Sequence, residues 1–181
     1  MILDFQNLDD NVDSIFQFDT TEYNYEIIYK SKIKIKRPEL LKKKTIPPDF
    51  TLKTIDKDTI SLHELRGKVV IIDFWYMACH PCIKALPHLQ SLYEKYEKDG
   101  LIVIGINPFD SGRIEKLPEF LKFNNVQYPV LISDRELPKI YNVSGYPTIY
   151  ILNKKGEIVY SELGYDEGDE LEWEKIIKKL L

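Results

Sequence analysis

Val69-Val70-Ile71-Ile72-Asp73-Phe74-Trp75 runs directly into Tyr76-Met77-Ala78-Cys79-His80-Pro81-Cys82, and the junction of these two stretches decides the fold. The first is a nearly continuous apolar run, the pattern of a strand buried on both faces. The second opens a helical pattern that sets Ala85, Leu86, Leu89, Leu92, Tyr93 and Tyr96 on one stripe. A C-x-x-C where a strand ends and a helix begins is the layout of a dithiol redox site. The spacing lets the two sulfurs close a disulfide. The helix N-terminus stabilises a thiolate on the first cysteine through its dipole and free N–H groups. The chain has 2 cysteines in all, too few for a structural disulfide framework, so their adjacency points to exchange chemistry.

On the C-terminal side the pattern is α/β. The cysteine helix reaches about Asp99-Gly100, where the glycine supplies a stop, and Leu101–Asn107 reads as a second buried strand. A helix over Arg113–Asn124, a strand at Pro129–Ile132 and a short helix at Arg135–Tyr141 follow. Tyr146–Asn153 and Glu157–Leu163 form a hairpin turning at Lys154-Lys155-Gly156. A last helix starts near Asp169, with Glu172 placed for a capping box and Trp173, Ile176, Ile177 and Leu180 at buried spacing. On the N-terminal side, Phe50–Ile55 and Thr59-Ile60 predict a hairpin, and Ser61 with Glu64 predicts a second capping box.

Charge divides the first 45 residues. Residues 1–29 hold seven acids and no Lys or Arg, whereas 30–44 hold eight Lys/Arg against the single acid Glu39. Tyr23, Tyr25, Ile27, Tyr29, Ile33 and Ile35 share one parity, which predicts extended chain with one buried face. Lys42-Lys43-Lys44-Thr45-Ile46-Pro47-Pro48 reads as a linker, since two prolines continue neither a ladder nor a helix interior. The reading is therefore an N-terminal β-rich extension, or remnant of a larger N-terminal domain, over 1–45 and an α/β domain over 46–181. A net charge of -4 gives no reason to expect nucleic acid as a partner. No apolar run approaches the ~20 residues of a membrane span. Met1-Ile2-Leu3-Asp4 shows neither the basic nor the apolar region of a signal peptide.

Strands alternating with helices, then a terminal hairpin and helix, make a mixed central sheet with helices on both faces. With the C-x-x-C on its first βα turn, the chain resembles the thioredoxin-like superfamily. Within it, the chain is similar to thiol–disulfide oxidoreductases of the TlpA/ResA type (redoxin, AhpC/TSA-like). Pro48-Asp49-Phe50-Thr51-Leu52, Leu65-Arg66-Gly67-Lys68-Val69-Val70, the cysteine run, Gly145-Tyr146-Pro147-Thr148 and Ile151–Val159 carry the resemblance from about Ile46 to Leu181. The residues around Pro108–Tyr128 match the helical insert that follows the second core strand in this subgroup.

The resemblance implies a thiol–disulfide oxidoreductase that exchanges the Cys79/Cys82 dithiol with protein disulfides, as a reductase fed by an upstream dithiol donor. It implies no cofactor beyond the redox-active disulfide. A disulfide-forming oxidase or isomerase, and a binding or assembly module with an incidental dithiol, are the alternatives. The compartment it suggests is the cell envelope or periplasm, with the cytoplasm as alternative. In the redox reading Cys79 is the exposed nucleophile and Cys82 resolves the mixed disulfide. His80 as imidazolium would stabilise the Cys79 thiolate, and Pro81 fits the first helical turn. Asp73 matches the buried acid that takes up the proton of the resolving cysteine. Thioredoxin pairs that acid with a lysine on the next strand, whereas here the matching position is Gly105. The glutamate often found three residues after the second cysteine is Ala85. Trp75 packs beside the site, and Ala78 leaves its rim open. Pro147 aligns with the cis-proline facing the disulfide, leaving the Tyr146 backbone to pair with an extended substrate.

Other chemistries fit less well. Structural zinc needs four ligands, and only His63, His80 and His88 could join the cysteines. A c-type haem attachment needs His where Ile83 stands. A peroxiredoxin-type site needs Thr or Ser at Tyr76 and Pro at Ile72.

Overall fold

The alternation of fully buried strands with helices resolves into one twisted sheet. In a computed structural model, residues 39–181 are described; the alternating Tyr23–Ile35 stretch lies outside the described residues. In chain order come β1 (Thr51–Thr54), β2 (Thr59–Ser61), β3 (Val69–Phe74), α1 (His80–Tyr96), β4 (Leu101–Asn107), α2 (Leu117–Phe123), β5 (Val130–Ile132), α3 (Glu136–Ile140), β6 (Thr148–Leu152), β7 (Ile158–Leu163) and α4 (Asp169–Leu180). The sheet order is β2-β1-β5-β4-β3-β6-β7. Strands β3, β4 and β5 run parallel, while β6, β7, β1 and β2 join as antiparallel neighbours. Helical crossovers connect the parallel pairs, because parallel strands cannot be joined by a tight turn.

Every residue of β3 is buried, and its two parities feed two separate apolar layers. Val69, Ile71 and Trp75 pack with Leu86 and Leu89 of α1 and with Trp173 and Ile177 of α4. Val70, Ile72 and Phe74 pack with Leu62, Leu137 and Tyr141 on the opposite face. This is the thioredoxin-like arrangement, a mixed sheet covered on both sides. After α1, a 3-10 turn over Glu97–Asp99 leads to Gly100 at φ 106°, the left-handed stop that glycine adopts without strain.

Four local expectations change. The Ser61 capping box is not made: the Ser61 hydroxyl pairs instead with Thr51 Oγ1 across the hairpin, at 2.9 Å. At α4 the N-cap is Gly168, and the Asp169 carboxylate turns back to accept Asp166 N–H at 2.7 Å. The single helix expected over Arg113–Asn124 is a 3-10 segment, Asp110–Lys116, followed by α2. Arg113 leaves helical geometry there while its guanidinium donates to Asp110 Oδ1 at 2.8 Å. The stretch read as a linker is docked: Lys44 N–H donates to Ile158 O at 2.7 Å and Ile158 N–H to Thr45 O at 2.9 Å. Leu40 and Leu41 pack into the second apolar layer, which gives this segment burial that its lysines concealed.

Candidate active site

Strand β3 delivers the chain to the C-terminal edge of the sheet, and α1 departs from there with Cys79 as its N-cap. Cys79 and Cys82 are joined in a disulfide, with a Cα–Cα distance of 5.2 Å. Cys82 N–H donates to Cys79 Sγ at 3.2 Å, so a free backbone donor of the first helical turn already points at that sulfur. Cys79 is 4% exposed and Cys82 0%. The first cysteine is thus the outer of the two but far less open than its reading as an exposed nucleophile implies. His80 stands exposed, Pro81 occupies the first turn, and the helix continues through Pro87. His63 bonds Asp49 at 2.7 Å, and His88 lies 3.9 Å from Glu170, so neither joins the cysteines. Among the described residues no group of three or more His, Cys, Asp or Glu could hold a metal ion.

The Tyr146-Pro147 peptide bond is cis. Tyr146 forms one corner of an aromatic triangle with Tyr76 and Phe109, with centroids 5.4, 5.2 and 5.3 Å apart. All three are half-buried, and Arg135 lies 5.1 Å over the Phe109 ring. Burial, with Tyr76 nearby, pushes the Tyr146 hydroxyl up to about 12. These rings form a rim beside the cysteine loop, where Ala78 is exposed.

Beneath the loop lies a polar clamp that the motif reading missed. Asp110 is fully buried; its Oδ2 accepts Met77 N–H at 2.7 Å and Asn107 Nδ2 at 2.9 Å. Asn107 Oδ1 in turn accepts the N–H groups of Phe109 and Asp110. The residue two before Cys79 is thereby tied to the end of β4. The only sequence signal was an Asn and an Asp three apart where an apolar strand stops.

Asp73 shares the parity of Ile71 and Trp75, so it faces the layer that holds Cys79 and Cys82. It is fully buried, and neither carboxylate oxygen has a protein partner. Burial alone raises its pKa from 3.8 to about 8, which keeps it protonated at neutral pH. Its register partner on β4 is Gly105, so the neighbouring strand brings no side-chain cation. A buried acid under a helix-capping dithiol, beside a cis-proline, can exchange disulfides and manage the proton that exchange requires.

A thioredoxin-like fold with this dithiol at its first βα turn defines a thiol–disulfide oxidoreductase. Residues 44–161 match the model of the AhpC/TSA family. The chain is 33% identical over 135 residues to sporulation thiol-disulfide oxidoreductase A of Bacillus subtilis, covering 73% of this chain and 81% of that protein. It is 31% identical over 113 residues to thiol-disulfide oxidoreductase ResA of the same organism, covering 62% of each. The crystal structure of StoA from Bacillus subtilis superposes with a TM-score of 0.58 at 33% identity, over 71% of this chain and 98% of that one. The chain belongs to the AhpC/TSA family, and within it to the thiol–disulfide oxidoreductases that the sequence resembles.

Proposed function

We propose that this oxidoreductase works as a reductase of protein disulfides in the cell envelope, recharged by an upstream dithiol protein. The observation that carries the reading is the environment of Cys79 Sγ, which accepts the Cys82 backbone N–H while His80 faces solvent. A dithiol becomes a strong oxidant when its reduced form is heavily stabilised. With one backbone donor at Cys79 Sγ and His80 turned to solvent, this reading takes the reducing direction.

In this reading the Cys79 thiolate attacks one sulfur of a client disulfide and expels the other as a thiolate. The Asp73 carboxylate then takes the proton of Cys82. The Cys82 thiolate attacks Cys79 Sγ, releasing the second client thiolate and closing the Cys79–Cys82 disulfide. Two electrons pass to the client, and the donor dithiol returns them. On that return Cys82 is the leaving group, and protonated Asp73 supplies its proton. Tyr146, beside cis-Pro147, presents backbone for an extended client segment along the aromatic rim, while Trp75 lies buried beneath. The N-terminal extension over residues 1–45 is dispensable for thiol exchange in this reading. The similarity to TlpA/ResA-type proteins supports the envelope as the place of action.

The test is the reduction potential of the Cys79/Cys82 pair, measured against glutathione. A value nearer the roughly −270 mV of thioredoxin than the roughly −120 mV of DsbA supports the reductase. A value near the latter makes the protein a disulfide-forming oxidase.

A further inference from the structure

Gly105 is the meeting point of three buried polar groups that find no partner in the protein. It is the register partner of Asp73, on the same face and one strand spacing away. A Cβ placed on Gly105 would come within 2.7 Å of Trp75 Nε1 and 3.3 Å of Tyr128 Cε2. The indole nitrogen and the edge of the Tyr128 ring therefore both lie over Gly105, on the face that carries Asp73. Both Asp73 oxygens, Trp75 Nε1 and Tyr128 Oη are buried and unpaired. Buried polar groups left unpaired in one small region are satisfied by ordered water shared among them.

We propose that Tyr128 and Trp75 are positioning residues for Asp73, their O–H and N–H donating through shared water to its carboxyl in place of a cation from β4. This rests on the role of Asp73 in thiol exchange proposed above. Donors of this kind favour the ionised carboxylate and oppose the effect of burial. They hold the acid within reach of the pH at which it must release and accept the Cys82 proton. Tyr128 stays a neutral phenol that keeps its O–H to donate, because burial and the nearby Asp73 charge raise its own pKa well above the phenolic range. The other groups packed around Asp73 do not compete. Strand β6 offers Ile149 as register partner, α1 offers the two cysteines among apolar side chains, and no Lys or Arg is among the buried residues described.

The experiment is a pH profile of the resolving step, followed from a preformed mixed disulfide on Cys79, for wild type, Tyr128→Phe and Asp73→Asn. The phenylalanine keeps the ring that packs against Tyr93, with centroids 6.3 Å apart. In wild type the rate rises with pH to a midpoint below the value of about 8 that burial alone would set. Tyr128→Phe is expected to move that midpoint upward by roughly half to one pH unit, the scale of one lost neutral hydrogen bond. A merely structural role for Tyr128 leaves the midpoint in place, and an unmoved midpoint overturns the proposal. Asp73→Asn separates the two ideas. If it abolishes the pH-dependent limb while Tyr128→Phe leaves the midpoint fixed, only the positioning role fails. If the limb survives Asp73→Asn, the acid itself is idle and both fail. The infrared carbonyl band of protonated Asp73 in the unmodified protein gives a second measure independent of any variant's folding. A hydrogen-bonded frequency supports the proposal, and that of an isolated acid overturns it.

Discussion

The two faces of the sheet are built from the same strands yet treat their polar groups in opposite ways. On the face covered by Leu62, Leu137 and Tyr141, the buried hydroxyls are all engaged. Tyr141 donates to Pro48 O at 2.5 Å, and Tyr150 donates to Tyr141 O at 2.6 Å while accepting Leu41 N–H at 3.2 Å. On the face beneath α1, Asp73, Trp75 and Tyr128 bury polar atoms with no protein partner. Without water between them, each such group would cost on the order of 1–3 kcal/mol. One face secures the fold, and the other gives up stability around the dithiol. Unsatisfied polarity gathered on the face that carries the dithiol marks a site kept for chemistry.

The sharpest break of this comparison is Cys79→Ser. It is expected to abolish insulin reduction, whereas Cys82→Ser accumulates a mixed disulfide visible on a non-reducing gel. If Cys79→Ser retains turnover, the outer sulfur is not the nucleophile.

Next comes Asp73→Asn, whose effects on rate and stability have opposite signs. The resolving step should slow by about 100-fold or more, within the range for loss of a positioned acid or base. Stability should rise. Folded Asp73 keeps its proton up to about 8, whereas the unfolded chain loses it near 3.8. Between these values the unfolded state binds fewer protons, so wild-type stability is full below about 4, falls as pH rises and levels off above about 8. The asparagine variant should lack this slope and exceed wild type by a few kcal/mol at pH 8, of the order that the shift implies. Urea denaturation at pH 4, 6 and 8 reads it directly. Equal slopes in the two proteins would mean that Asp73 is already ionised at neutral pH.

Asp110→Ala tests the clamp at the edge of the redox face. It strips Met77 N–H, Asn107 Nδ2 and Arg113 Nη2 of one acceptor, and should cost about 2–4 kcal/mol in denaturant unfolding. Alkylation of Cys79 in the reduced protein should change with it, since the loop entering α1 loses its tether. The smallest effect belongs to the opposite face. Tyr150→Phe should lower stability by about 1–2 kcal/mol, since Tyr141 O and Leu41 N–H each lose a partner. It should leave the reduction potential unchanged, and a shifted potential would show that the faces are coupled.

What the sequence made legible was whatever repeats or is contiguous. The apolar run from Val69 and the cysteine spacing located β3, α1 and the dithiol, and the resemblance to thioredoxin singled out Asp73 as the buried acid. The resemblance put Gly105 where thioredoxin has the lysine that pairs with the acid, and the register sets Gly105 beside Asp73. What stayed hidden rests on single residues far apart in the chain. Tyr128 shows no periodicity with Asp73, and Asp110 reaches Met77 only because β4 ends beside β3. Ser61 and Asp169 occupied capping positions by spacing, but each found a competing partner in the folded chain. The lysines of 42–44 read as solvated linker because a backbone pairing such as Lys44 to Ile158 leaves no trace in side-chain type.

The central position of β3 has a consequence for how the molecule is made. Ile72 pairs with Ile104 on one side and with Tyr150 on the other. During synthesis from the N-terminus, the cysteines emerge and acquire β4 well before β6 exists. Only once β6 has been laid down is the sheet that walls in Asp73 complete. Contacts between residues so distant in sequence form late and slow folding. A nascent or prematurely terminated chain ending before Thr148 therefore carries two thiols over a half-built sheet, free to pair with any neighbouring cysteine. The finished enzyme's control over its sulfurs is the last property that the growing chain acquires.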